Sequence, residues 1–152
     1  MKTANMRRIL FWVWAGLSLL GLSQETTQAA ADSAGTEFYV AFQRNTAGGT
    51  ANLSLFITGQ QDTQGLVQVA GLNFSQAFQV QANRITTVII PSAAQFLPDN
   101  AVSNFGVRVT ADNEVTVYGL NQMTYTTDAF LALPTDILGL EYMAMSYLST
   151  YA

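Results

Sequence analysis

Residues 105–120 of the chain read FGVRVTADNEVTVYGL. Apolar and polar residues alternate through most of this stretch, and alternation with period two is typical of a half-buried β-strand. A polar tripeptide, Asp112-Asn113-Glu114, divides the stretch into two apolar halves. The sequence therefore predicts two strands, Phe105–Ala111 and Val115–Leu120, that pair with each other as a β-hairpin.

The length of the connecting loop follows from the residues that would face each other. A two-residue loop would mix apolar and polar side chains on each face of the hairpin. A three-residue loop pairs Val109 with Val117 and leaves one face apolar, and it places Arg108 opposite Tyr118 on the other face, where the two can interact favourably. We therefore expect a three-residue loop in which Asn113 or a neighbour adopts a positive φ.

The chain after residue 32 repeats this pattern. Short runs rich in Val, Ile, Phe, Tyr and Thr recur between Gly, Asn, Asp and Pro, and only Thr135–Leu138 fits a helical turn. Regularly spaced strands without intervening helices favour an antiparallel sandwich or a sheet closed on itself. We predict an all-β fold, an antiparallel β-sandwich of about 7–9 short strands. The other predicted strands are Glu37–Phe42, Asn52–Thr58, Leu66–Val69, Ala77–Gln81, Thr86–Ile90, Phe130–Leu133 and Tyr142–Tyr147.

The N-terminal segment has the pattern of a secretory signal peptide. Basic residues at positions 2, 7 and 8 precede the uncharged, mostly apolar run Ile9–Leu22, and Ala29-Ala30-Ala31 offers a cleavage site. The run has 14 residues, fewer than the ~20 that a transmembrane helix needs. A cleaved signal-peptide helix, residues 1–31, is therefore favoured over an uncleaved anchor. We expect residues 32–152 to be secreted or displayed at the cell surface, without a membrane span.

The composition excludes several kinds of chemistry. The chain has no cysteine and no histidine, so it has no disulfides, no thiolate or imidazole metal ligands and no histidine-dependent catalysis. After the predicted cleavage, three arginines and no lysine remain against nine carboxylates, for a net charge of −6. Such a surface repels phosphate groups, so nucleic acids and anionic membranes are disfavoured as partners. We expect no cofactor.

Carboxylates are the general bases that remain near neutral pH. Asp112 with Glu114, and Asp128 with Asp136, are the closest pairs in sequence, and paired carboxylates catalyse glycoside hydrolysis. The first pair lies in the predicted loop and the second flanks a proline-containing segment, so solvated turns and loop-fixing roles are favoured. No calcium-loop spacing occurs. We predict no enzyme, no catalytic residue and no metal site. Candidate ligand contacts are Asp112, Asn113, Glu114, Tyr125 and Asp128.

Three blocks of the chain together resemble a known extracellular family. The first block is Gly35–Phe42 with Leu55–Gly59, the second is Gly106–Asp112 through Val115–Asn121, and the third is Thr127–Asp136 with Leu138, Gly139, Glu141 and Tyr142. In this order and spacing they resemble the IgGFc-binding protein N-terminal domain family. The resemblance covers the chain from about residue 32 to its end.

The resemblance implies a secreted, non-catalytic β-module that binds an extracellular protein or glycan. It does not imply that the chain binds antibody. An architectural spacer domain is the alternative, and a carboxylate-dependent hydrolase a remote one. Domains of this family continue beyond a segment like Glu141–Tyr147, so we expect residues 32–152 to be incomplete at the C-terminal end. We also expect self-association through the apolar region Phe130–Leu148.

Overall fold

A computed structural model describes residues 32–45, 50–96 and 102–143 of the chain. The predicted signal peptide, residues 1–31, lies outside these ranges. Most of the predicted strand Tyr142–Tyr147 also lies outside them, and its first two residues belong to irregular chain.

The described residues form the predicted all-β fold, with an antiparallel sheet of seven strands and a separate parallel pair, Phe42–Gln43 with Gln95–Phe96. Within them, helix is confined to three single 3₁₀ turns, at Ala70–Leu72, Ser92–Ala94 and Thr135–Ile137, and the last of these coincides with the predicted helical turn. The strands are β1 (Gly35–Val40), β2 (Phe42–Gln43), β3 (Asn52–Thr58), β4 (Thr63–Val69), β5 (Phe74–Val80), β6 (Ile85–Ile90), β7 (Gln95–Phe96), β8 (Val107–Gln122) and β9 (Thr127–Leu131).

The largest departure from prediction is β8, a continuous strand of 16 residues. The predicted hairpin is wrong, because the tripeptide Asp112–Glu114 continues the strand instead of reversing it. The backbone N–H of Asn113 donates to Oγ1 of Thr63 at 2.9 Å, and Nδ2 of Asn113 donates to the carbonyl oxygen of Asp62 at 3.2 Å. These bonds stabilise the tripeptide in an extended conformation, and Asn113 does not adopt the positive φ that a hairpin loop would require.

Each half of β8 therefore finds its partners elsewhere. Arg108 lies opposite Tyr39 of β1, and Tyr118 lies opposite Phe56 of β3, so the predicted Arg108–Tyr118 pair does not form. The alternation nevertheless keeps its phase across the tripeptide. The four valines at 107, 109, 115 and 117 are fully buried in one core, as the alternation predicts.

Strand β8 connects two layers of four strands. Its first half, residues 107–111, lies between β1 and β4, and β5 extends this first layer beside β4. Its second half, residues 116–122, lies between β3 and β9, and β6 extends the second layer beside β3. All of these pairings are antiparallel. The sheet is nearly closed, since Oγ1 of Thr86 in β6 donates to the carbonyl oxygen of Gln79 in β5 at 2.6 Å.

One hydrophobic core lies between the two layers. In each layer a phenylalanine covers a glycine on the neighbouring strand: Phe78 lies opposite Gly65 in the first layer, and Phe130 lies opposite Gly119 in the second. A side chain at either glycine would overlap the aromatic ring. The ring of Phe130 also packs edge-on against Phe42, with centroids 5.6 Å apart. These pairs fill the core where the strands carry no side chain of their own.

Candidate functional site

Each layer has one outer face, because side chains along a strand alternate between the core and the solvent. We term the outer face of the first layer the polar face. Amide, hydroxyl and charged groups surround a few apolar side chains on it. The burial pattern and the register assign to it Glu37 and Tyr39 of β1, Gln64, Leu66 and Gln68 of β4, Ser75, Ala77 and Gln79 of β5, and Arg108, Thr110 and Asp112 of β8.

A row of three hydrogen-bonding side chains crosses the polar face. Gln79 of β5 lies directly opposite Gln64 of β4. Ala111 of β8 lies opposite Gly65 of β4. Because the two strands are antiparallel, the residue after Ala111, Asp112, lies beside the residue before Gly65, Gln64. All three side chains are exposed. This amide–carboxylate row presents two amide donor groups and three carbonyl or carboxylate acceptor groups to solvent.

Two shallow depressions flank the amide–carboxylate row. The larger, of about 590 Å³, includes Gly65, Phe78 and Ala111 in its lining. The smaller, of about 450 Å³, lies over the neighbouring pair Thr63 and Val80. The three side chains of the row line both depressions. A ligand that covers both depressions would therefore cross the row.

The end of the face beside the smaller depression is fixed by hydrogen bonds. Oδ1 of Asp62 accepts from the backbone N–H of Ala82 at 2.8 Å, which connects the β3–β4 loop to the β5–β6 turn. The bonds from Asn113 to Thr63 and Asp62 hold β8 against the same loop. The carboxylate of Asp112, next to Asn113, makes no hydrogen bond to any described residue. Its oxygens remain available to a ligand.

An ion pair occupies the opposite end of the polar face. Nη2 of Arg108 lies 2.7 Å from Oε1 of Glu37, and the guanidinium lies 5.9 Å from the ring centroid of Tyr39. The hydrogen bond from Arg108 lowers the pKa of the Glu37 carboxyl below its usual value of 4.5, and Tyr39 and Thr135 donate further bonds to it. The same carboxylate raises the pKa of Arg108. The pair leaves little net charge at this end.

The five predicted contact residues fall in two places. Asp112 belongs to the amide–carboxylate row, and Asn113 beside it uses its donors to hold the fold. Glu114 is exposed farther along β8. Tyr125, 98% exposed in the β8–β9 turn, and Asp128 in β9 lie toward the C-terminal end of β8. The structure thus separates Tyr125 and Asp128 from the polar face.

Sequence reasoning missed a polar cluster at the C-terminal end of β8. The buried side chain of Asn121 donates from Nδ2 to the carbonyl oxygen of Gln43 at 2.7 Å. Asn45 donates to the carbonyl oxygen of Asn121 at 3.0 Å, and Thr126 donates to Oδ1 of Asn45 at 2.8 Å. Oδ1 of Asn121 is buried without a partner among the described residues. The available sequence signal was Asn121 itself, a polar residue at a position of β8 where the alternation predicts an apolar one.

Metal ligands and membrane-spanning helices were sought among the described residues. Within ranges 32–45, 50–96 and 102–143, no group of three or more His, Cys, Asp or Glu side chains could hold a metal ion. In the same ranges, no helix has the length and apolar character needed to cross a membrane. The polar face offers hydrogen bonds to a ligand along the amide–carboxylate row, and the ring of Tyr39 is exposed at the opposite end of the face.

Comparison of the chain with protein-family models, with curated proteins and with solved structures finds no match. The resemblance to the IgGFc-binding protein N-terminal domain family therefore stays a prediction.

Proposed function

We propose that the chain is a secreted or cell-surface binding module without catalytic activity, related to the IgGFc-binding protein N-terminal domain family, and that its ligand is a neutral glycan. The observation that carries the proposal is the amide–carboxylate row Gln79, Gln64 and Asp112 between two depressions. Side-chain amides both donate and accept, and a carboxylate accepts at two oxygens. These groups match the hydroxyls of a sugar, which also donate and accept.

Charge argues against an anionic ligand, and the shape of the face suits an extended one. The residues after the predicted cleavage site carry a net charge of −6 and no lysine, which disfavours anionic ligands. The arginine of the polar face is already paired with Glu37. The depressions are shallow and open, so a linear or branched oligosaccharide can lie across them. Tyr39 is 59% exposed. Its ring can pack against the apolar side of a sugar at the end of the polar face that holds the ion pair.

Binding to a panel of neutral oligosaccharides tests the proposal. We expect at least one glycan to bind with a micromolar to millimolar Kd, the range of a few hydrogen bonds on an open surface. The variants Gln64→Ala and Gln79→Ala should each weaken that binding by about tenfold, as expected for a lost hydrogen bond of about 1–1.5 kcal/mol. Isothermal titration calorimetry measures the change directly.

Gln122→Ala is the matched control. Gln122 is also an exposed glutamine in a strand, but it lies on the outer face of the second layer, opposite Asn52 and Thr127. It should leave binding unchanged. Equal losses in all three variants, or no loss in Gln64→Ala and Gln79→Ala, would place the ligand elsewhere. A protein that binds no neutral glycan and instead binds a protein ligand would contradict the assignment of the ligand class.

A further inference from the structure

Among the described residues, the side-chain oxygen of Asn121 is the one buried side-chain acceptor that no donor reaches. Asn121 is 4% exposed, and its Oδ1 makes no hydrogen bond to any described residue. Buried polar atoms in folded proteins are almost always hydrogen-bonded, because an unpaired acceptor loses its bonds to water and gains none in return. The folded protein therefore needs a donor at this oxygen.

The orientation of the Asn121 amide is fixed by its neighbour. Nδ2 of Asn121 donates to the carbonyl oxygen of Gln43 at 2.7 Å. Rotation of the amide by half a turn would place Oδ1 against that carbonyl oxygen, and two acceptors in contact repel each other. Rotation therefore cannot provide the missing hydrogen bond.

The other donors of the polar cluster are directed at other acceptors. Nδ2 of Asn45 donates to the carbonyl oxygen of Asn121 at 3.0 Å and to that of Thr126 at 3.5 Å. The hydroxyl of Thr126 donates to Oδ1 of Asn45 at 2.8 Å. Neither side chain can turn to Oδ1 of Asn121 without breaking a bond of its own. The polar cluster therefore lacks one donor.

Gln95 of β7 is directed at the same carbonyl oxygen as Asn121. Its side chain is buried, and its Nε2 donates to the carbonyl oxygen of Gln43 at 3.5 Å, which is long for a hydrogen bond. The side-chain amides of Asn121 and Gln95 thus converge on one oxygen atom. Nε2 carries a second N–H, and that N–H makes no hydrogen bond to any described residue.

We propose that one ordered water molecule binds between the side-chain amides of Asn121 and Gln95. The water donates to Oδ1 of Asn121 and accepts the second N–H of Gln95, which gives it the two polar partners that a buried water needs. It connects the parallel pair β2–β7 to β8 through one side chain from each. A single water satisfies a neutral amide in this way, but it does not solvate a charge as bulk water does.

Water-selective nuclear Overhauser spectra of the isotope-labelled exported protein test the proposal. The side-chain amide hydrogens of Asn121 should show a cross-peak to water with the sign of a long-lived contact. A rotating-frame spectrum should give this peak the sign of direct dipolar transfer, which differs from that of hydrogen exchange. The side-chain amide of Gln122 is the internal control, because it is exposed and meets only rapidly exchanging water. A resolved Asn121 amide without the water cross-peak would overturn the proposal.

Two variants identify the source of the cross-peak. Thr126→Val removes the hydroxyl of the polar cluster, whose exchange with solvent could imitate a bound water, and the peak should persist. Gln95→Leu replaces the second partner of the water by an apolar side chain of similar size. The peak should then be lost, while the strand-rich circular dichroism spectrum is kept. Loss of the peak in Thr126→Val, or its persistence in Gln95→Leu, would contradict a water held between Asn121 and Gln95.

Discussion

Replacement of Gly65 by alanine tests how closely β4, β5 and β8 pack beneath the polar face. An added methyl group would overlap the carbonyl oxygen of Thr110 and the ring of Phe78. The ring can rotate or shift, but the carbonyl oxygen belongs to β8, which is held between β1 and β4. Relief of the overlap therefore requires the strands to move apart. Overpacking of a core usually costs about 1–3 kcal/mol, and we expect the upper half of that range.

Gly106→Ala is the matched control for this variant. No atom lies within 4 Å of a methyl group at Gly106, so the substitution should create no overlap. Both substitutions reduce the conformational freedom of the unfolded chain equally. This effect stabilises the folded protein by about 0.4–1 kcal/mol where the folded backbone tolerates alanine. The difference between the two variants therefore isolates the packing cost.

Urea denaturation followed by far-UV circular dichroism measures this difference. Circular dichroism is suitable because both tryptophans, Trp12 and Trp14, lie in the predicted signal peptide. Gly65→Ala should lower the free energy of unfolding by about 2–3 kcal/mol, and Gly106→Ala should leave it unchanged or raise it slightly. Equal stabilities for the two variants would refute the close approach of Thr110 and Phe78 to Gly65.

Three further predictions concern charge, the polar cluster and processing. Because the pKa of Glu37 is lowered in the folded state, its ionised form contributes stability at neutral pH that is lost as the pH falls through the lowered pKa. Glu37→Gln should thus be less stable than the wild type at pH 7 and equally stable near pH ~2; a constant difference across this range would contradict the ion pair. Asn121→Asp should lower the free energy of unfolding by about 3 kcal/mol or more in urea titrations, because it buries a charge that faces the carbonyl oxygen of Gln43; a loss under about 1 kcal/mol would show that the site is hydrated. Mass spectrometry of the exported protein should find Asp32 or Ala31 at its N-terminus, and an intact Met1 would contradict the signal peptide.

The sequence predicts a strand well where inward apolar residues and outward residues alternate without interruption along the whole strand. The bounds of β3, Asn52–Thr58, are as predicted, because its inward leucine and isoleucine residues alternate without interruption. The tripeptide Asp112–Glu114 was misinterpreted for a physical reason. With three polar residues between the two alternating runs, the valines of both runs share one face whether the chain turns or continues as one strand. Only the distant partners Thr63 and Asp62, which hold Asn113 in the extended state, distinguish the two outcomes.

The candidate site was predictable only in part for a related reason. Asp112 was among the expected contacts because it is a carboxylate in a polar segment. Gln64 and Gln79 were not, because a glutamine on the outward side of a strand forms no motif in the sequence. They become neighbours of Asp112 through the β4–β5 and β4–β8 registers. Pairing registers between distant strands depend on the whole core and cannot be derived from any one segment.

The most direct test of the polar face as a ligand site is a nuclear magnetic resonance titration with a bound neutral oligosaccharide. The side-chain amide groups of Gln64 and Gln79 give their own signals and report contact at the row itself. We predict that these signals and the backbone amides of residues 110–112 shift together and saturate at one Kd, while the amide signals of Gln122 stay unchanged. Shifts confined to the β8–β9 turn around Tyr125 and Asp128, with Gln64 and Gln79 unmoved, would contradict this assignment.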